Sequence, residues 1–214
     1  MLSDVDFGRI LDVTKLSKYR IVLAHRKSSR CELKMIDLLT NKVDLITYTD
    51  GEPTSICADL NIDNLYLSSE YGIEVFNLKT RNIYQLTMSN GNTGHIDGSL
   101  QIARFSPSPY DLMFLGENVI LIADRGNFVL RVIDLVNKTV STICKPGSSS
   151  AYGELTRDCH FGFSQSLLVL PNDDKILIGL SESIGSLRIE GELHVHVYIY
   201  IEWCKKNGTT FDEA

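Results

Sequence analysis

A strand-turn-strand cassette occurs three times in this chain, and no other feature restricts the fold as strongly. The stretches 34–46, 74–86 and 131–143 align position by position: apolar residues alternate, then Asp37, Asn77 or Asp134 precedes a Leu, then a polar run leads into a second alternating strand. Period-two alternation marks a half-buried strand, and a short Asx side chain at a turn bonds the backbone amides that follow it. Each cassette predicts a β-hairpin closed by an Asx turn. The turn residues lie 40 and then 57 residues apart. The first interval suits one four-stranded propeller blade. The excess in the second falls in the Gly- and Asn-rich stretch 88–99, which reads as an inter-blade loop, solvated by default.

A second pair of short apolar stretches precedes the hairpins, at 55–60 with 64–69 and at 110–115 with 119–124. A fourth unit follows in 166–170, 175–179 and 186–190, with 193–202 as its last strand. The predicted blades are therefore about 6–51, 52–91, 101–147 and 158–203, within a single domain or segment of one. The first is the least regular of the four. Helical periodicity is nearly absent, so the chain is all-β. A sandwich would share the strand spacing, but it has no reason to repeat a whole cassette at blade length. A β-propeller of about four four-stranded blades is the expectation. Four is a small number for a closed propeller, so an incomplete ring is part of the reading. An open ring leaves strand edges that invite self-association.

The stretch 94–147 carries a longer pattern: Asp97-Gly98, then Ala103-Arg104-Phe105, Pro109, a strand ending in Ala123-Asp124, then Gly126-Asn127, and Arg131 before Ile133. On these residues the chain resembles the NHL-repeat family of β-propellers. The pattern departs at Phe128, where the family usually has His, and the other units keep only the hairpin. The resemblance implies an NHL-type fold and an interaction module. Read as chemistry, the set is structural: Asp124 bonds turn amides, Gly126 supplies a positive φ, Asn127 takes the left-handed region, and Arg104 pairs with an Asp of its own or a neighbouring blade.

Composition narrows the function. A net charge of −6 and a pI near 5.4 argue against nucleic acid, since phosphate binding needs clustered Lys and Arg; the exception is a local patch at Arg26, Lys27 and Arg30. No apolar run is long enough to suggest membrane insertion. Residues 1–8 are acidic where a secretory leader is basic, so the sequence as it stands reads without an export signal. Five cysteines form no zinc-type spacing, but Cys144 and Cys159 bracket a loop that a disulfide would close, a bridge worth about 3 kcal/mol. That bridge, with sequons at Asn137 and Asn207, belongs to an extracellular compartment and a longer protein; without them the protein reads as cytoplasmic.

No nucleophile elbow, phosphate loop or zinc-protease helix is present, so no catalytic residue and no cofactor is assigned. His194 and His196 share one face of a strand, and His160 or His95 is the third ligand a metal site would require. The NHL resemblance extends to a zinc-dependent lyase, which makes a metal-dependent lyase-like or hydrolase-like enzyme the alternative. The leading expectation is a non-enzymatic module that binds a protein ligand through loop tips at 26–30, 88–99 and 146–157.

Overall fold

The three cassette turns have the same chemistry in the folded chain. The computed structural model describes residues 6–70, 72–87, 92–107, 111–116, 118–144, 164–169, 175–180, 184–190 and 198–204. Asp37 Oδ1 accepts the amides of Leu39 and Thr40 at 3.1 and 3.0 Å, Asn77 Oδ1 those of Lys79 and Thr80 at 3.1 and 2.8 Å, and Asp134 Oδ1 those of Val136 and Asn137 at 2.9 and 2.8 Å. The residue four positions on is left-handed each time, with φ of 56° at Asn41, 63° at Arg81 and 55° at Lys138. The Asx side chain fixes the first half of the turn, and one residue at positive φ completes it.

The strands form four antiparallel sheets in chain order. The first holds β1 (Arg9–Ser17), β2 (Arg20–Lys27), β3 (Arg30–Asp37) and β4 (Lys42–Thr49), and the second β5 (Ser55–Ala58), β6 (Asn64–Ser69), β7 (Gly72–Asn77) and β8 (Ile83–Gln85). The third holds β10 (Asp111–Gly116), β11 (Val119–Asp124), β12 (Val129–Asp134) and β13 (Thr139–Cys144), with the two-residue β9 (Gly98–Ser99) added outside β13. The fourth holds β14 (Ser164–Val169), β15 (Lys175–Leu180), β16 (Ile184–Glu190) and β17 (Tyr198–Cys204). The first sheet, expected to be the least regular, has strands of nine and eight residues. Its ladder has β-bulges at Leu11 and Leu16 of β1 and at Ile46 of β4. The last strand begins at Tyr198 and runs on to Cys204; residues 193–197 lie outside the described residues.

Consecutive sheets bury their faces against one another, which is the propeller arrangement. Val22, Ala24 and Leu33 of the first meet Ile56, Leu65, Leu67 and Phe76 of the second. Cys57, Tyr66 and Val75 of the second meet Leu112, Ile120 and Ile133 of the third, and Leu121, Ala123 and Leu130 of the third meet Leu167, Ile176 and Ile178 of the fourth. Each fully buried aliphatic side chain contributes roughly 1.5–3 kcal/mol. The first strand of each sheet packs on the first strand of the next, β1 on β5, β5 on β10 and β10 on β14, so these four line the centre.

Polar links stitch the same strands together. Asp12 Oδ2 on β1 accepts the Ile56 amide at 2.7 Å, Ser55 Oγ on β5 accepts the Leu112 amide at 3.1 Å, and Asp111 Oδ2 on β10 accepts the Leu167 amide at 2.6 Å. Ser55 Oγ also donates to Asp111 Oδ1 at 2.7 Å. Burial drives the Asp111 carboxyl above its ordinary range, opposed by these hydrogen bonds.

Each sheet is a meander, so the turns after its first and third strands share one end of the molecule, the hairpin end. The turn after its second strand and the connection to the next sheet share the other, the connector end.

Candidate binding surface

The connection between the second and third sheets is the part of the chain with the most elaborate polar chemistry. Its described portion, 92–107, does not arch through solvent. It leaves the connector end at Gly94, runs down the outer edge of β13, and returns to the connector end at Ser106. On the way down Gly98 and Ser99 pair with Val140 and Thr139, and an isolated bridge joins Ile96 to Arg104 on the way back. Leu100, Ala103 and Phe105 are buried in the core between the two sheets. Within the expected loop 88–99 the described residues 92–99 are exposed or half-buried, with Gly98 and Ser99 paired to the sheet edge, and burial begins at Leu100, past its end; residues 88–91 lie outside the described residues.

Arg131 holds the excursion in place. Its side chain is 0% exposed on β12 and reaches Asp124 Oδ2 at 3.3 Å and Asp97 Oδ1 at 2.8 Å. The same guanidinium donates to the carbonyl of Ile96 at 2.6 Å and to that of Arg104, and it lies 4.4 Å from the centre of the Phe105 ring. A buried guanidinium is tolerable only when carboxylates and carbonyls replace its water, and most of those here come from the excursion. Asp124, also fully buried, accepts the Ser106 amide at 3.0 Å and the Asn127 side-chain amide at 2.9 Å, and Asn127 in turn donates to the Gly94 carbonyl at 2.7 Å. Both arms of the excursion are thus tied to the turn between β11 and β12.

Two expectations for this set are corrected. Gly126 has no positive φ: it lies in a single 3-10 turn, Arg125–Asn127, and the left-handed residue is Phe128, at φ 56°. The reason for glycine is contact, since a Cβ there would meet Ser106 Cβ at 2.6 Å. Asn127 is likewise not left-handed, and its side chain bridges Asp124 to Gly94. Arg104 donates to the carbonyls of Gln101, Ile102 and Ala103, and Arg131 is paired with two carboxylates. Arg131 was read from sequence only as the charged residue of the repeat pattern. The signal available was its place on a strand between apolar neighbours, where a lone charge demands partners.

The outer side of the excursion carries the exposed groups. Asp97 accepts the Thr142 amide at 3.0 Å and the Thr142 hydroxyl at 2.8 Å. Burial opposes ionisation of Asp97, but the Thr142 bonds and Arg131 together hold its carboxyl below the usual range. His95 Nε2 lies 2.9 Å from the same Thr142 hydroxyl. That hydroxyl has one proton, which goes to Asp97, so His95 is the donor in this pair. A nucleophile triad has the imidazole between carboxylate and hydroxyl; here the hydroxyl stands in the middle and is not activated. Ile96 and Ile102 are 47% and 57% exposed.

His25 is buried on β2, its Nε2 3.2 Å from Glu32 and its ring edge-on to Phe7. His160, His194 and His196 lie outside the described residues, as do Cys159 and the loop 146–157. No group of metal-ligating side chains comes together among the described residues. Cys144 ends β13, and the described free thiols, Cys31 and Cys57, are both buried. At the tip 26–30 the positive charge is already answered: Arg26 pairs with Glu52 at 3.0 Å, Lys27 with Asp6 at 3.6 Å, and Arg30 lies over the Tyr48 ring. Two open clefts lie among the described residues. One of about 490 Å³ at the connector end lies among Arg9, Glu52, Thr54 and Glu70, and one of about 390 Å³ at the hairpin end among Asp59, Asp63, Asn118 and Tyr66. No helix among the described residues is long and apolar enough to cross a membrane.

No family model and no curated protein sequence matches the chain. Solved structures do. It is similar to an auxiliary nutrient binding protein from Bacteroides ovatus ATCC 8483, with TM-score 0.61 at 18% identity, over 79% of this chain and 45% of that one. A second auxiliary nutrient binding protein, from Bacteroides thetaiotaomicron VPI-5482, gives TM-score 0.59 at 16% identity over 82% and 47%. A chain of a nidogen/laminin complex gives 0.58 at 12% identity over 86% and 60%. The chain spans about half the length of these structures. They establish the β-propeller fold, and they are binding proteins and a protein-protein complex.

Proposed function

We propose that this chain is a non-enzymatic binding propeller of NHL type that takes a protein ligand, with the excursion 92–104 as its contact surface. One observation carries the reading. Arg131 is fully buried in order to immobilise a segment whose outer side leaves Ile96 and Ile102 about half exposed, beside the polar groups of His95 and Asp97. Exposed apolar side chains on a locked backbone bind with little loss of conformational entropy, which favours a preformed protein-protein contact. A polar rim around apolar contacts is the ordinary anatomy of such interfaces. The neighbours that are binding proteins, and the one drawn from a protein-protein complex, support the same class.

The test is a displayed-peptide selection on the wild-type chain, with recovered peptides titrated against variants. Ile102→Asp and Ile96→Asp are expected to weaken binding at least tenfold, about 1.4 kcal/mol. Lys79→Glu, at the hairpin end, should leave it unchanged. Peptides that bind both isoleucine variants like the wild type would overturn the assignment of the surface.

A further inference from the structure

The outer strands of the first three sheets share one plan. Counted from the Asx residue that opens each hairpin, Asp37, Asn77 or Asp134, the positions six and eight residues on are Val43 and Leu45, Ile83 and Gln85, and Val140 and Thr142. The second of each pair lies opposite Lys34, Glu74 or Arg131 on the third strand of its sheet. In the first and third sheets a bulge follows at once, at Ile46 and Ile143.

The three edges differ in what covers them. On β13 the excursion adds a short strand: Gly98 pairs with Val140, and Asp97 Oδ2 accepts the outward amide of Thr142 at 3.0 Å while Asp97 Oδ1 meets Arg131 at 2.8 Å. β8 stops at Gln85, and the amides of Leu86 and Thr87 both turn back to the Ile73 carbonyl, at 2.8 and 3.2 Å. β4 runs for eight residues, and no strand among the described residues pairs with its outer edge. Leu45 and Tyr48, opposite Lys34 and Glu32, are 45% and 48% exposed. By the same count from the turn, the Leu45 amide points outward as that of Thr142 does.

We propose that the outer edge of β4 is a second binding site, which takes an extended peptide bearing a carboxylate in the way that β13 takes the excursion. An open edge offers main-chain hydrogen bonds to any extended strand, and side chains and charge select the strand that binds. The occupant is specified by the one already seated on the equivalent edge. There a single carboxylate bridges the outward amide and the cation opposite it; on β4 those groups are the Leu45 amide and Lys34. Lys34 has one carboxylate, Glu32 at 3.0 Å, where Arg131 has two. Two arginines flank the edge with no carboxylate partner among the described residues: Arg30 lies 5.5 Å from the centre of the Tyr48 ring, and Arg81, in the turn before β8, donates to the Ile46 carbonyl at 3.3 Å. The charge around the edge therefore selects an acidic strand. A second copy of this chain is the poorer occupant, because the bulge at Ile46 bends each β4 and Arg81 takes the carbonyl there, so two such edges do not lie flat along one another. A short peptide needs only Val43 and Leu45, as β9 needs only two residues of β13.

The test is a displayed library of peptides of about ten residues with one fixed Asp, long enough to run along the edge at about 3.3 Å per residue. It is selected on the full chain carrying Ile96→Asp and Ile102→Asp, so that a contact on the excursion is not what is recovered. Recovered peptides are expected to slow hydrogen exchange of the amides in 42–46. Leu45→Pro removes the outward amide and leaves the ladder to β3 intact, so it should weaken binding at least tenfold with unchanged circular dichroism. Changing the fixed Asp of the peptide to Asn should weaken it as well. If Leu45→Pro disturbs the first sheet, the same peptide N-methylated on alternate amides gives the reading on the unaltered edge, again as a loss of at least about tenfold. A selection that recovers nothing overturns the proposal. So do peptides that leave exchange in 42–46 unchanged, or that bind equally well after N-methylation in both alternate frames. Because the selected chain lacks Ile96 and Ile102, each of these outcomes is independent of whether 92–104 is a contact surface.

Discussion

Glu74 and Arg131 occupy the same place in neighbouring sheets, and their surroundings treat them in opposite ways. Glu74 lies opposite Leu67, which lies opposite Ile56; Arg131 lies opposite Ile122, which lies opposite Leu112. Both face the preceding sheet. Arg131 has two carboxylates and two backbone carbonyls around it. Glu74 has a carboxyl pushed up, first by burial and then by the charge of Asp50. The difference lies in the connections. The link into the second sheet, 50–54, is too short to fold back and brings a like charge, whereas the link into the third is long enough to carry Asp97 to its partner. A charge between blades is stabilised by what the connecting segment delivers.

The largest test of that comparison is Arg131→Met, which leaves Asp97 and Asp124 without their cation. A loss of about 3–5 kcal/mol is expected in urea denaturation. A loss below about 1 kcal/mol would show that the excursion is held by its apolar residues alone. Gly126→Ala follows, at about 1–3 kcal/mol, because the added methyl meets Ser106 Cβ at 2.6 Å. Gly94→Ala on the same excursion meets only Arg104 Cβ at 3.5 Å and should stay within about 0.5 kcal/mol of wild type.

Acid titration separates the two carboxylates by sign. Asp97 has a lowered folded value, so its contribution is present above the unfolded value of about 3.9 and is lost as pH falls through the folded one. Asp97→Asn should flatten the acid limb of the stability curve. Glu74 has a raised folded value, so its contribution is full below the unfolded value of about 4.3 and is lost as pH rises through the folded one. Glu74→Gln should remove that loss and gain a fraction of about 1 kcal/mol at pH 7, the smallest effect of the set. A destabilised Glu74→Gln would mean that the carboxylate has a favourable partner after all.

Much of the fold was legible because its signals are local. The Asx turns at Asp37, Asn77 and Asp134 close through bonds to amides two and three residues away, so the cassette contains all the chemistry it needs. Strand alternation placed β5, β6, β10 and β11 for the same reason. The candidate site was legible in membership and not in role. Asp97, Asp124 and Asn127 were named, but the turn chemistry expected of Asp124 and Asn127 was wrong because their partners, Ser106 and Gly94, are 18 and 33 residues away, and Asp97 had no role assigned because its partner Thr142 is 45 residues away. Gly126 shows the same limit: glycine suggests a backbone angle, and only the approach of Ser106 reveals a steric cause.

The sequence by itself determined the hairpins, the repeat and the all-β propeller class, since alternation and turn bonds act over a few residues. Tertiary structure alone decided that Arg131 is the clamp, that 92–107 lies on a sheet edge, and that Asp12, Ser55 and Asp111 form one series. Those three are 43 and 56 residues apart and alternate between Asp and Ser. Their common property is an oxygen at one register position, and that position exists only after the strands have paired.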